Sequence, residues 1–403
     1  MTRVLILGGG YAGAWTYRAL VRRRPLLRGL EITVVAPHAV HAFHGFTGEV
    51  LSGELPAAAA HSPLAEVFPS AEIVEGTAMS VDVEARTVSV ATPTGPVELG
   101  YDQLVVATGS REATANVAGL TEWGWRLRAP EESAALLRHL ETTADPGAVV
   151  VVGGGLSGAE AACALAHRFA PGREVVLLSP RGPGSEMLSL APRVRDELTR
   201  AGVRILPVRA QRVEVDRVEL SDGTSLHAAA VVSALGNRAV PLPGLPVEDG
   251  ELRPDRSLAL APGVWTAGDA ARVVRRTGTP APQDALWAIR AGTRAGRNVA
   301  RAARGRDPRA FGYRGLGLAA GFGRGRAMVR IWGVPLTGPA AWIIRMGFFV
   351  WFVPSRRQAM RLLRAYGRPL PAVSALALPT GPVETTPVVL PRPRAREAEV
   401  PTP

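Results

Sequence analysis

Apolar residues in the first two thirds of this chain fall in short, nearly unbroken runs, at 4–7, 31–36, 101–107, 148–152, 174–178 and 263–267. Runs of this length, closed by Gly, Ser or Pro, predict strands buried on both faces, the pattern of a parallel sheet covered by helices. The stretch 213–236 is different. Its shorter, alternating pattern around Ser221-Asp222-Gly223-Thr224 predicts hairpin strands. From Gln283 to Arg304 the spacing becomes helical and predicts one long helix.

Two of the apolar runs end in the same glycine pattern. Gly8, Gly10 and Gly13 stand at G-x-G-x-x-G spacing after the first run, and Gly153, Gly155 and Gly158 repeat it after 148–152. Such a turn leads a strand into a helix, lets a pyrophosphate approach the backbone, and aims free N–H groups and the helix dipole at the phosphates. Gly8, Gly9, Gly10, Tyr11, Ala12 and Gly13 are therefore expected to contact one dinucleotide, and Gly153, Gly155, Leu156, Ser157 and Gly158 a second. Three further small-residue turns bring backbone close to something: Ala107-Thr108-Gly109, Ala234-Leu235-Gly236 and Gly268-Asp269. Asp269 can accept from sugar hydroxyls; its plainer use is as a helix N-cap. Fold and motif together predict an α/β protein with two Rossmann-like dinucleotide-binding domains.

The strand ends that usually carry a ribose-binding acid hold Ala36 and Ser179 instead. Ser179 followed by Arg181 tolerates a 2′-phosphate, so NADPH stands beside NADH as the expected nucleotide. His38, His41 and His44 recur every third residue without Cys or paired carboxylates, and are expected to line the cofactor or the surface, with no metal site.

Composition changes the picture in two places. One cysteine, Cys163, excludes electron transfer through a disulfide pair. The chain of 403 residues has a net charge of +12, and from Arg290 to Arg368 there are seventeen Arg against one acid, Asp307. Within that region 338–353 is apolar and aromatic apart from Arg345, and is too short for a span, which needs about 20 residues. After it Arg357, Arg361, Arg364 and Arg368 form a helical stripe, with Ala359, Leu362, Leu363 and Tyr366 expected on the other side. An aromatic segment beside an Arg stripe suits an amphipathic anchor on an anionic membrane surface. Its competing use is a homodimer interface or a cover over the core. No nucleic-acid module accompanies the charge, so nucleic acid is not an expected partner. The first strand begins almost at residue 1, with no cleavable signal before it, and this predicts a location on the cytoplasmic side.

The order of glycine turn, Ala-Thr-Gly, second glycine turn, Ala-Leu-Gly and Ala-Gly-Asp resembles the flavoprotein reductases with two dinucleotide-binding domains. Residues 311–324, Ala327-Met328-Val329 and 336–342 resemble the tail of the type II NADH dehydrogenases, and Phe43 with 48–53 their flavin-covering loop. The resemblance implies FAD at the first turn, NADH or NADPH at the second, and a quinone or similar two-electron acceptor. It also implies a catalytic role for Glu160, cofactor contacts from Ala78 and Trp287, and a peripheral position on the membrane. Where the family commonly carries two glutamines facing the quinone, this chain has Leu286 and Arg290. The expected division is 1–118 and 241–330 for the FAD domain and 119–240 for the NAD(P) domain. A membrane or interface segment follows at 331–370, then a disordered Pro-rich tail at 371–403. Two rivals remain: a soluble reductase with a protein or small-molecule acceptor, and a flavin-fold protein that binds without turnover.

Overall fold

The computed structural model describes residues 2–366 apart from Arg28, Ala129 and Arg276. The tail expected at 371–403, Arg368 and the last residues of the segment before the tail lie outside the described residues. Two large sheets organise the rest. The first runs in the order Ala259–Ala261, Val264–Thr266, Gln103–Val106, Thr2–Leu7, Leu30–Ala36, Glu72–Glu75. All neighbours are parallel except the outermost pair, Ala259–Ala261 with Val264–Thr266. Its strands bury side chains on both faces, as the unbroken apolar runs require: Leu5 and Leu7 point into one cluster, Val4 and Ile6 into the other.

The second sheet has Ala148–Val152 between Val175–Leu178 and Ser225–Ser233, and continues through the hairpin strands Arg217–Leu220 and Ala210–Val213. A short antiparallel pair, Ser110–Glu112 with Asn237–Ala239, links the chain leaving the first sheet to the chain returning from the second. Two three-stranded antiparallel sheets flank this frame, at 77–100 and at 317–337. The latter straddles residue 330, so the segment beginning at 331 shares a sheet with what precedes it.

The helix predicted from Gln283 to Arg304 spans Ala285–Ala302, and Asp284 caps it by accepting from Trp287 N at 2.8 Å. It lies against the helix Tyr11–Val21. A Cβ at Gly292 would collide with the Ala12 backbone, and one at Gly296 would meet the Thr16 carbonyl oxygen at 2.5 Å. Thr16 Oγ1 donates to the Gly292 carbonyl at 3.1 Å, so a hydroxyl clasps what the missing side chains allow to approach.

The apolar C-terminal segment folds as the helix Gly338–Trp351, followed by Arg356–Tyr366. Both lie on the protein: Met346, Val353 and Leu362 join Phe43, Phe46 and Val50 in a buried cluster. Cover and exposed apolar face coexist, because Ile343, Ile344 and Trp351 point outward, with Trp351 81% exposed. Two expectations are corrected here. Leu363 is exposed like Met360, whereas Leu362 is buried in the cluster and Ala359 and Tyr366 pack against it. Arg345, read as a break in an apolar face, is 2% exposed and turns inward. Among the described residues no helix is long and apolar enough to cross a membrane.

Candidate active site

Each glycine turn is built by contact with a second loop. At Gly8, φ is +121° and a Cβ would collide with the Ala107 carbonyl; at Gly153, φ is +124° and a Cβ would collide with the Ala234 carbonyl. Only glycine satisfies both the dihedral and the approach. The matching hydrogen bonds are Ala107 N to the Leu7 carbonyl at 2.9 Å and Ala234 N to the Val152 carbonyl, also at 2.9 Å. Ala107-Thr108-Gly109 and Ala234-Leu235-Gly236 therefore stand in the same relation to their turns, as the sequence pattern predicts.

The middle of each turn faces free space. Nothing lies within 4 Å of a Cβ built on Gly10, Gly109 or Gly236, and beside Gly155 stands only the tip of the Glu186 side chain, at 3.0 Å. The helices that follow, Tyr11–Val21 and Leu156–Phe169, have no acid in their first turn and no side-chain N-cap. Their positive ends are left for an external anion. A dinucleotide diphosphate fits both cradles.

The first turn gathers residues far apart in sequence. Gly268 brings Asp269 to it, with a Cβ on Gly268 lying 3.0 Å from Ala12 Cβ. Asp269 sits inside the short turn Gly268–Ala270 and caps no helix. It accepts from Ser110 Oγ at 3.2 Å, and Ser110 Oγ in turn accepts from Arg128 Nη1 at 3.1 Å. Burial holds the Asp269 carboxyl above its usual range, against the pull of Arg128 and Ser110. Ala36 lies beside Gly9, and its carbonyl accepts from Gly76 N, two residues before Ala78. His41 packs under the same turn, its Nδ1 2.8 Å from the Gly9 carbonyl; burial pushes it down to about 4, so it is neutral at pH 7, whereas His44 is exposed. The indole of Trp287 is covered by Tyr313, with ring centres 4.7 Å apart, and by Phe311.

At the second turn Ser179 packs against Gly154, on which a Cβ would collide with Ser179 Oγ. The loop 179–184 folds back through Gly184 N to the Gly154 carbonyl at 2.8 Å, leaving Arg181 exposed. Glu160, one turn into the helix Leu156–Phe169, accepts from Gly321 N at 2.6 Å and from Arg345 Nη2 at 3.1 Å. Arg345 also binds Glu49 and the Gly45 carbonyl, and its guanidinium lies 4.6 Å from the Phe349 ring centre. One arginine from the helix Gly338–Trp351 thus ties residues 43–51 to the helix Leu156–Phe169. Burial pushes Glu160 up to about 7, Arg345 opposing that rise and Glu49 adding to it. A carboxyl poised there can hold or release a proton at neutral pH.

Residues 2–292 match the pyridine nucleotide-disulphide oxidoreductase pattern. The chain belongs to that family. Within it, the chain is 35% identical over 295 residues to an NADH dehydrogenase-like protein of Mycobacterium tuberculosis, covering 67% of this chain and 73% of that one. It is 24% identical over 380 residues to the demethylphylloquinone reductase NdbB of Synechocystis, covering 88% and 92%. In fold it is similar to NDH2 from Plasmodium falciparum solved with NADH, with a TM-score of 0.78 at 12% identity, covering 92% of this chain and all of that one. As in the sequence-based reading, this family member has no second cysteine: Cys163 is buried, its thiol pushed up to about 12 by burial.

The family motifs did not single out Glu49 or Asp284. Glu49 carries no spacing signal; it is found only through Arg345. Asp284 had one, an Asp three residues ahead of Trp287 at a helix start. Burial pushes Asp284 up to about 6, and the nearby Asp269 adds to the rise.

Proposed function

We propose that this protein is an FAD-dependent NAD(P)H:quinone oxidoreductase working at a membrane surface, with FAD at the first glycine turn and NAD(P)H at the second. The observation that carries the reading is the pair of equivalent, open cradles, Gly8 against Ala107 and Gly153 against Ala234. FAD, when bound, supplies the two-electron centre between the nucleotide and the acceptor. The chain's own residues do the rest. Helix starts at Tyr11 and Leu156 take the diphosphates, Asp269 takes sugar hydroxyls, and the Ser179–Arg181 loop takes the adenosine end of NADH or NADPH.

Reduction of a quinone by NAD(P)H consumes one proton beyond the hydride, giving quinol and NAD(P)+. Glu160 is the group suited to deliver it, because its titration near neutrality leaves both forms populated. Arg345 positions that carboxyl and keeps it from drifting further toward the neutral form. A quinone acceptor and a membrane position are supported by relatives named for quinone reduction and by the outward Ile343, Ile344 and Trp351. Leu286 and Arg290 would then give the acceptor side a pocket different from a glutamine-lined one.

The test is the absorbance spectrum of the purified protein during anaerobic addition of NADH and, separately, NADPH, followed by a short-chain quinone. Flavin bands that bleach with nucleotide and return with quinone are expected. Bands that return only with a soluble dye would move the reading to a reductase with another acceptor. A protein that takes up no flavin would leave binding without turnover.

A further inference from the structure

Seven arginines line one cleft of about 210 Å³, at the far end of the helix Ala285–Ala302 from Asp284. Arg294, Arg297 and Arg301 stand on one face of the helix at three- and four-residue spacing. Arg304, Arg306 and Arg309 come from the loop that follows, and Arg23 from the turn after the helix Tyr11–Val21. Among the described residues none of the seven makes an ion pair with an acid; Arg23 and Arg301 donate only to the carbonyls of Ala19 and Asp307.

The charges are held there rather than left to spread. Asn298, fully buried, donates to the carbonyls of Ser257 at 2.7 Å and Arg309 at 2.9 Å, and accepts from Arg309 N at 2.9 Å. Moving the loop away to relieve repulsion would leave that buried amide unpaired. Burial and then Arg297 and Arg22 hold Arg23 below its ordinary value, and burial with Arg297, Arg309 and Arg301 does the same to Arg294. The helix C-terminus offers roughly half a negative charge, far too little to balance the group.

We propose that this cleft is a binding site for a clustered phosphate anion, taken either from a soluble polyphosphate compound or from an anionic lipid headgroup. Guanidinium forks pair bidentately with phosphate oxygens, and several from three chain segments can surround one polyanion. The volume is below the roughly 300–1,000 Å³ that encloses a drug-sized ligand, so it takes the phosphates and leaves the rest of the compound outside. The lipid source enters because the basic surface continues. Arg22 lies between Arg23 and Arg18, Arg18 feels Arg356, and the neighbouring Trp15 packs 6.0 Å from Phe352 beside the exposed apolar face.

The test uses the full chain and its Arg294→Gln/Arg297→Gln variant, with Arg138→Gln/Arg209→Gln as a control that removes equal charge elsewhere. Calorimetry with sodium tripolyphosphate, and flotation on phosphatidylcholine vesicles with and without phosphatidic acid, read the two sources. The cleft variant should bind whichever ligand the parent binds about tenfold or more weakly, while the control stays within about twofold. Melting without ligand should be unchanged or higher in the cleft variant, because repulsion is relieved, so weak binding cannot be unfolding. Equal loss in both variants would make the effect general surface charge and overturn the site. So would failure of the parent to bind either ligand, or a preference for duplex DNA over both.

Discussion

Arg345 Nη2 lies 3.1 Å from Glu160 Oε1 across 185 residues of sequence, and the same guanidinium binds Glu49. The helix Gly338–Trp351 therefore reaches the Glu160 carboxyl itself. On the proposed function, the acceptor side of the molecule and Glu160 would act as one unit.

Glu160 is ionised above about 7 and protonated below it. If it delivers the acceptor's proton, quinone turnover should fall as pH rises through this value, while bleaching of the flavin by NAD(P)H stays flat. In Glu160→Gln that limb should vanish, leaving a low, pH-independent rate. An unchanged pH profile in the variant would remove Glu160 from the mechanism.

Arg345→Met leaves the buried Glu49 and the partly buried Glu160 with no cation between them. Removing one partner of a buried pair costs about 3–5 kcal/mol. Protonation of the carboxyls recovers part of this, so the Glu160 limb should move well above 7 and thermal stability should drop most at alkaline pH. Arg345→Lys should restore stability in part but lose the fork that spans Glu49 and Glu160. Equal melting of parent and Met variant across pH would contradict the assignment.

The two glycine turns should fail separately. Gly8→Ala drives a Cβ into the Ala107 carbonyl, and the purified variant should lose its flavin colour. Gly153→Ala makes the same clash with Ala234 and should stay yellow, with nucleotide bleaching lost or weakened about tenfold or more. Visible spectra of the two variants check this side by side.

His41 is buried neutral, with a folded value near 4 against 6.5 in the unfolded chain. A group whose value falls on folding withdraws stability as pH drops from the unfolded value toward the folded one. The protein should lose on the order of 3 kcal/mol from His41 between about pH 6.5 and 4. His41→Gln, keeping a donor for the Gly9 carbonyl, should flatten the acid limb of the melting curve.

Nucleotide choice should respond at Ser179. Placing a carboxylate there by Ser179→Asp repels a 2′-phosphate and should shift the kcat/KM ratio toward NADH about tenfold or more, with Arg181→Ala moving it the same way. No change in either ratio would mean that the 179–184 loop does not touch the adenosine ribose.

What could be read from sequence was whatever is written locally. Buried parallel strands declare themselves as apolar runs, and the glycine turns as spacing, because strand, turn and helix are contiguous. Their partners Ala107, Ala234 and Gly268 were legible too, each being a small-residue exit from such a run. The Glu49–Arg345–Glu160 cluster was not, since its members are 296 and 185 residues apart and each looks ordinary alone. A single Arg in an aromatic helix has the same local pattern whether it faces lipid headgroups or a buried carboxylate. Leu363 was misassigned for a related reason: a stripe of arginines marks one helix face, but only packing shows how narrow the opposite face is. The flanking sheet at 77–100 carries no glycine fingerprint and went unnoticed.

The strand Gln103–Val106 is paired on one side by Thr2–Leu7 and on the other by Val264–Thr266. During synthesis at ~5–20 residues per second, the roughly 160 residues between them take on the order of 8–30 s to emerge. The intervening Ala148–Ser233 sheet is continuous in the chain and can close first. For that interval the first sheet is left with an open, apolar edge, the kind that invites strands from other molecules. An expression host that translates quickly, or a chaperone that shields this edge, should therefore decide soluble yield more than the stability of the finished fold does.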